Sequence, residues 1–443
     1  MNYVQVNGQQ FVYKGEPIRL RGFGIGTWLC LEHFMMGLPT SEKVMRKAFE
    51  EACGKKIAEE FFSAYQTNFI QEEDFKLLKE TGVNFLRVPF NYRLFIDDND
   101  VTHLKQEGFS YFDELLSLCS KYKIFVMFDL HTTPGGQNPD WHSDNDNGVP
   151  LFWEYQIFRR QITELWKTIA KRYKDEPFLM GYDLLNEPAM ANWPSINEFY
   201  EETISAIRDV DKKHIIVLEG DLFSMDFSKL TKFEDPQIAL GFHYYPTVWH
   251  RDLLNLEMPR EVRKQKISEG LDRLVEIKNH FNRPAFCGEF GYAAADVGSE
   301  EFALELLADT VELMEAHELS WTLWCYKDAN IMSMVSPKKT GNWMKLVQDI
   351  HEYWSQDIEK EQANYLLEQL ADKWYPNMTD EEYYLLQFRF RATIYQLQKQ
   401  HILIPELMKR TEEEILQLPE DFKFEYCQVN KAFHDYMKMI LTK

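Results

Sequence analysis

The chain has 443 residues, with 49 Lys and Arg against 71 Asp and Glu, which gives a formal net charge of −22 at pH 7. This acidic balance disfavours nucleic acid and anionic membrane surfaces as partners. Hydrophobic residues make up 45% of the chain and aromatic residues 15%. That composition excludes a disordered chain and favours a protein with a large core.

The six cysteines show neither a CxxC pair nor the spacing of a zinc site. The sequence therefore predicts no disulfide framework and no metal. The amino terminus lacks the charged and apolar regions of a leader, and no apolar run approaches the length of a membrane span. We therefore expect a cytoplasmic protein that needs no cofactor and has no membrane partner.

The first predicted element is a hairpin, in which residues 4–6 and 11–13 flank an Asn7-Gly8 turn. Short β-branched or aromatic runs then alternate with amphipathic helical stretches. Eight strands are predicted, at residues 20–24, 85–88, 124–130, 179–185, 215–219, 239–243, 285–288 and 321–324. This alternation predicts an α/β fold, a (β/α)8 TIM barrel, more than an open sheet, since no GxGxxG follows an early strand.

The alternation of strands and helices stops near residue 355. We assign residues 1–354 to the barrel and residues 355–443 to a helical carboxyl-terminal extension. Thr379 with Glu382, and Thr411 with Glu414, have the spacing of capping boxes at helix starts. We expect the extension to pack on the barrel or to mediate homo-oligomer formation, and nothing in its sequence indicates chemistry.

Two glutamates stand at predicted strand ends, where a parallel barrel carries its chemistry. Glu187 lies in the run Leu-Leu-Asn-Glu-Pro after the fourth strand, and Glu289 lies in Cys-Gly-Glu-Phe-Gly after the seventh. Paired carboxylates of this kind perform acid/base and nucleophilic work on a glycosidic bond. The sequence gives no distance between them.

These motifs resemble those of glycoside hydrolase family 5, a family of retaining barrels, and the resemblance runs from about Gly22 to Trp324. It implies that Glu187 is the general acid and base and that Glu289 is the nucleophile. The like charge of Glu289 and partial burial should then raise the pKa of Glu187, giving a bell-shaped pH profile. It also implies an oligosaccharide substrate.

Other positions match the family in chain order and have physical roles. Arg87 can stabilise the charge of the nucleophile, Asn186 can donate to a sugar 2-hydroxyl, and Tyr245 can bind the nucleophile. His131 and His243 can bind sugar hydroxyls and carboxylates, and Trp324 offers a ring face on which a sugar can stack. Trp28, Trp141 and Trp249, in predicted strand-end loops, are candidates for further subsites.

Two loops resemble those of the exo-acting β-1,3-glucanases of the family, with acidic residues Glu32 and Asp140 at the positions that bind the terminal sugar. The residues around strands six and seven depart from that group, so its β-1,3 specificity does not transfer. We expect an exo-acting β-mannosidase or β-glucosidase. The alternatives are an endo-glucanase or endo-mannanase with an open cleft, an exo-β-1,3-glucanase, and a catalytically silent sugar-binding barrel.

Overall fold

The computed structural model describes residues 2–352, 365–370 and 373–442. The β-strands are β1 (Val4–Asn7), β2 (Gln10–Tyr13), β3 (Glu16–Pro17), β4 (Arg21–Gly24), β5 (Phe85–Asn91), β6 (Ile96–Asp97), β7 (Asp100–Leu104), β8 (Phe125–Thr132), β9 (Leu179–Asp183), β10 (Ile215–Glu219), β11 (Ile238–His243), β12 (Ala285–Glu289), β13 (Ser320–Leu323), β14 (Val335–Pro337) and β15 (Cys427–Val429).

The α-helices of the described residues include His33–Met36, Glu42–Cys53, Lys55–Phe69, Glu72–Thr81, Glu107–Tyr122, Gln156–Tyr173, Trp193–Arg208, the short turn Asp221–Ser224, Pro246–Trp249, Arg260–Val275, Ile277–Phe281, Ala294–Val297, Glu300–Ala316, Asn342–His351, Asp380–Gln398, Ile404–Met408, Glu412–Gln417 and Lys431–Leu441. Short 3₁₀ turns span Tyr92–Leu94, Trp141–Ser143, Arg251–Leu254, Leu418–Phe422 and Phe424–Tyr426. A π turn covers Lys399–Leu403. In the part of the chain so described, no helix has both the length and the apolar character needed to span a bilayer.

Eight parallel strands close the barrel in the order β4, β5, β8, β9, β10, β11, β12, β13, and this order confirms the predicted fold. We refer to them as the first to the eighth barrel strands. The second and third are longer than predicted, and the fourth ends at Asp183, two residues earlier than predicted. All seven residues of β5 are buried, because each parallel strand is covered by the barrel interior on one face and by helices on the other.

The predicted hairpin is confirmed, with Val6 opposite Phe11, and β3 adds a third strand to it. Val4 and Phe11 pack against Phe85, Phe125 and other barrel residues in one hydrophobic cluster. The hairpin therefore closes the end of the barrel at which the strands begin, and leaves the opposite end for the site.

The described part of the extension packs on the barrel and shares its hydrophobic core. Leu407, Phe422 and Met437 are fully buried in the cluster that also contains the helices around the first barrel strands. The strand β15 pairs antiparallel with β14, which is an element that the sequence did not predict. Both capping boxes of this segment are confirmed, while oligomer formation stays a prediction.

Candidate active site

Glu289 ends the seventh barrel strand and is held by two donors, one from the second barrel strand and one from the loop after the sixth. Arg87 Nη1 donates to Glu289 Oε1 at 2.7 Å, and the hydroxyl of Tyr245 donates to Oε2 at 2.9 Å. Both contacts were predicted for these residues. They fix the carboxylate in one orientation and stabilise its negative charge, as a nucleophile requires.

Glu187 follows the fourth barrel strand and contacts two histidines. His243 Nδ1 lies 2.5 Å from Glu187 Oε1, and His142 Nε2 lies 2.9 Å from Oε2. Sequence reasoning missed His142, although it lies only two positions after Asp140 in a loop already assigned to the site. The backbone of Glu187 has a φ of 48°, a left-handed conformation that is uncommon for a residue with a Cβ.

The expected rise in the pKa of Glu187 is wrong in direction. Burial favours the neutral acid, but the charges of His243 and His142 outweigh burial and hold the pKa of Glu187 below its usual range. Burial opposes the charged imidazole of His142, yet Glu187 and Asp140 raise the pKa of His142 to about 9. Glu187 therefore faces two imidazoles at hydrogen-bond distance, each of which can exchange a proton with it.

Arg87 is fully buried at the centre of a cluster of acidic side chains, three of which the sequence analysis did not assign. Its guanidinium lies 3.1 Å from carboxylate oxygens of Asp129, Asp183 and Glu219, in addition to Glu289. Burial alone would lower the pKa of Arg87, but these carboxylates raise it well above its ordinary value. The cluster keeps Arg87 charged and orients its guanidinium group towards Glu289.

Glu219 connects this cluster to Glu187. Its Oε2 accepts from the backbone N–H of Glu187 at 2.7 Å, and its Oε1 accepts from Arg87 at 3.1 Å. Despite its burial, the pKa of Glu219 is lowered to about 2 by His243 and Arg87. A strand-end position on the fifth barrel strand was the signal available in the sequence, because parallel strands end on the same rim.

Asn186 accepts from Arg87 Nη2 at 2.8 Å through its Oδ1. Its Nδ2 is buried and makes no hydrogen bond among the described residues. A buried donor without a partner is costly, so a sugar hydroxyl is a fitting acceptor for it. The predicted role of Asn186 towards the 2-hydroxyl rests on this atom.

Trp324, His131 and Glu32 lie together on one side of the pocket. The rings of Trp324 and His131 are parallel, with centroids 5.6 Å apart and planes 7° apart, and His131 Nε2 lies 3.2 Å from Glu32 Oε1. Burial opposes protonation of His131, but Asp129 and Glu32 raise its pKa to about 10. The peptide bond between Trp324 and Cys325 is cis. This group of side chains is called the sugar side below.

The other predicted pocket residues differ in their placement. Asp140 lines the pocket, while its Oδ1 accepts from the N–H of Trp141 at 2.7 Å. Trp141 also lines the pocket. Trp28 does not: it is 4% exposed, and its Nε1 donates to the carbonyl of Gln66, which makes it a core residue and its subsite role wrong. The side chain of Trp249 lies outside the described residues.

The pocket that contains Glu187 and Glu289 has a volume of about 430 Å³, within the range of small-ligand sites. One of its walls comes from the extension, where Phe388 of the helix Asp380–Gln398 lines it. Backbone atoms of that helix approach Gly148, and the ring of Tyr395 lies 5.5 Å from that of His33. Nothing in the sequence indicated that the extension reaches the pocket, and Phe388 does so.

Among the described residues, Glu187, His243 and Glu289 form a group whose ligand atoms lie within 4.8 Å of one another, close enough to hold a cation. The same atoms already contact each other and face Arg87 and Tyr245. The prediction that the site needs no metal and no cofactor stays a prediction.

A parallel barrel that holds two carboxylates, an arginine and a tryptophan at its carboxyl-terminal rim has the geometry of a glycoside hydrolase. The model of the cellulase family, glycosyl hydrolase family 5, matches residues 50–330. This chain belongs to glycosyl hydrolase family 5, and it is an O-glycosyl hydrolase.

Three relatives of this chain carry the names of different glycosidase activities. It is 32% identical to a β-xylosidase of Phanerodontia chrysosporium over 360 residues, which cover 79% of this chain and 76% of the relative. It is 24% identical to endoglucanase C of Acetivibrio thermocellus, over 60% of this chain and 87% of the relative. It is 27% identical to glucan 1,3-beta-glucosidase 2 of Wickerhamomyces anomalus, over 65% and 70%.

Proposed function

We propose that this enzyme is a retaining exo-β-glycosidase, which removes one sugar at a time from short β-linked substrates by double displacement. The observation that carries the mechanism is the proximity of Glu187 and Glu289, whose nearest oxygens lie within 4.8 Å of each other. Inverting enzymes keep their carboxyl groups about 6.5–9.5 Å apart to admit a water, whereas retaining enzymes need about 5–5.5 Å.

Glu289 attacks the anomeric carbon while Glu187 gives a proton to the departing oxygen. A covalent glycosyl-enzyme forms, and Glu187 then takes a proton from the water that releases the sugar. Arg87 and Tyr245 stabilise the nucleophile before attack and after release. His142 and His243 supply and recover the proton through Glu187.

Exo action is supported by the residues that surround the pocket. Glu32 and Trp141 line it, and Phe388 adds a side chain from the extension, outside the barrel. The helix that carries Phe388 lies outside residues 50–330, which the family model matches. In this proposal these side chains close the pocket around the non-reducing end of a substrate and exclude a continuing chain.

The sugar is a β-glucoside, β-mannoside or β-xyloside in this proposal. The first two follow from the expectation of short substrates, and the β-xylosidase relative at 32% identity adds the third. The endo-acting alternative with an open cleft, cellulase-like or mannanase-like, is favoured by the endoglucanase relative at 24% identity. The glucan 1,3-beta-glucosidase relative keeps an exo-β-1,3-glucanase as the other candidate.

The test is a time course on matched disaccharides, β-1,4-xylobiose, mannobiose, cellobiose and laminaribiose, each with its polymer, while NMR follows the anomer first formed. We expect cleavage of at least one disaccharide, release of the β anomer first, and little action on polymers. Cleavage of polymers alone would show an open cleft, and release of the α anomer would show inversion.

Two variants separate an enzyme from a silent sugar-binding barrel. We expect Glu187→Ala to lower kcat on a disaccharide by about 10²–10⁴-fold, because general acid catalysis contributes about that much. Glu257→Ala, an exposed glutamate away from the pocket, is the matched control. If Glu187→Ala and the wild type turned over equally, the role of Glu187 would be wrong.

A further inference from the structure

The leaving group of a glycosidase lies beside the residue that protonates it, because the proton goes to the departing oxygen. The pocket therefore has a leaving-group side next to Glu187. The loops that follow the fourth, fifth and sixth barrel strands border it, and these strands are neighbours in the barrel. The N–H of Phe223 donates to the carbonyl of Pro188, next to Glu187, at 3.0 Å.

The side chains that these three loops present to the pocket are mainly apolar. We call them the apolar wall: Met190, Leu222, Phe223, Met225 and Val248. Leu222 is 51% exposed and Val248 is 60% exposed, so neither side chain is needed to fill the hydrophobic core. Polar residues are more usual at such exposed positions. If the leaving group were a second sugar, we would expect polar side chains that bind hydroxyl groups on this side of the pocket.

The backbone of the fifth loop holds the apolar wall at a conformational cost. Leu222, Phe223 and Ser224 have φ values of 54°, 56° and 64°, all in the left-handed region that residues with a Cβ rarely adopt. The Ser224 hydroxyl donates to Glu219, and an antiparallel bridge joins Asp221 to Asp226. The buried charge cluster thus anchors a strained turn that carries two apolar side chains to the pocket.

We propose that the apolar wall binds the aglycone of alkyl or aryl β-glycosides, so that the enzyme cleaves a sugar from an apolar alcohol in preference to another sugar. This inference rests on the proposed glycosidase function and adds a substrate class to it. The pocket provides a charged half for one sugar ring and an apolar half for the leaving group.

The experiment uses n-alkyl β-glycosides from methyl to hexyl, as glucosides, mannosides and xylosides, below their micellar concentrations. We expect kcat/KM to rise about twofold to fourfold for each added methylene, since each one buries apolar surface against the wall. Leu222→Ser and Val248→Ser should flatten this dependence, so that the ratio of kcat/KM on the hexyl glycoside to kcat/KM on the methyl glycoside falls towards one. Leu256→Ser, which replaces an aliphatic side chain 73% exposed and outside the pocket, is the control.

A wild-type rate that does not change with alkyl length overturns the proposal, even where disaccharides are hydrolysed with retention and the glycosidase function stands. A second arm does not depend on turnover. Calorimetric binding of the corresponding n-alkyl β-thioglycosides, which resist hydrolysis, should tighten with chain length in the wild type and in Leu256→Ser but not in Leu222→Ser. If binding is independent of chain length, the wall has no aglycone role, whatever the activity.

Discussion

On the sugar side of the pocket, Trp324, His131 and Glu32 are at most 5% exposed, and each contacts a neighbouring ring or charge. On the leaving-group side, Leu222 and Val248 are more than half exposed and project from loops. The difference follows from what each side has to do. The catalytic step requires charged groups that strands and hydrogen bonds hold in place within fractions of an ångström. An apolar leaving group requires only an apolar surface against which it can be buried.

The largest effect on activity is expected from a change at Glu289, the proposed nucleophile. Glu289→Ala should lower kcat on the order of 10⁴-fold or more, because the covalent step loses its attacking atom while the binding surfaces remain. Azide added to this variant with an activated aryl β-glycoside should restore turnover and give the α-glycosyl azide. A variant that kept normal turnover would remove Glu289 from its role.

The next effect sharpens the role of His142, which faces Glu187, Asp140 and Glu32. The wild-type rate should fall as pH rises through the pKa of His142, about 9, because the proton stored for Glu187 is then lost. His142→Gln removes that store, so the alkaline limb of kcat/KM should move to lower pH. Above pH 7 the loss should be about 10- to 100-fold on a disaccharide.

The control for this variant is a dinitrophenyl glycoside, whose leaving group departs without a proton. Its rate of glycosylation should hardly respond to His142→Gln. If both substrates lost activity equally and the pH limb did not move, His142 would be a structural residue of the loop.

A smaller effect is expected where the extension meets the sugar side. Phe388→Ala removes a side chain that lines the pocket and should raise internal cleavage of a pentasaccharide, relative to the disaccharide, by about tenfold, the scale set by one pocket contact. Product analysis by chromatography measures the ratio. Tyr375→Ala removes an aromatic ring that is 59% exposed in the same segment and should leave the ratio unchanged.

The smallest effect concerns the strained turn of the leaving-group side. Leu222→Gly relieves a left-handed φ and should raise the free energy of unfolding by about 1 kcal/mol in urea, while lowering kcat/KM on hexyl glycosides. Lys123→Gly, at a φ of 57° on the carboxyl end of the helix Glu107–Tyr122, should raise stability without touching activity. Equal effects of both variants on activity would argue against the apolar wall.

The barrel, its hairpin and the strand-end positions of Glu187 and Glu289 could all be predicted from the sequence. Strand and helix periodicity is local, and the strand-end positions of Glu187 and Glu289 follow from it because all parallel strands end on one rim. Arg87, Tyr245 and Trp324 were predicted from matches to the family in chain order. Each of these contacts or faces the site as expected.

Other parts of the site depended on contacts between distant segments. His243 and His142 together reverse the expected direction of the pKa of Glu187, because a pKa depends on neighbours in space and the loop that carries His142 folds back onto the carboxylate. Trp28 looks like a subsite residue in the sequence but is buried against Gln66. Phe388 reaches the pocket from 200 residues beyond Glu187, which no local pattern indicates.

The sequence by itself determined the element order, the barrel and the pair of carboxylates, because these follow from short-range periodicity and from residues at strand ends. Only the tertiary structure decided which histidines contact Glu187, which loop presents the apolar wall, and that the extension lines the pocket. Those properties are set by distances between segments that lie far apart in the chain, and such distances appear only when the whole core is packed.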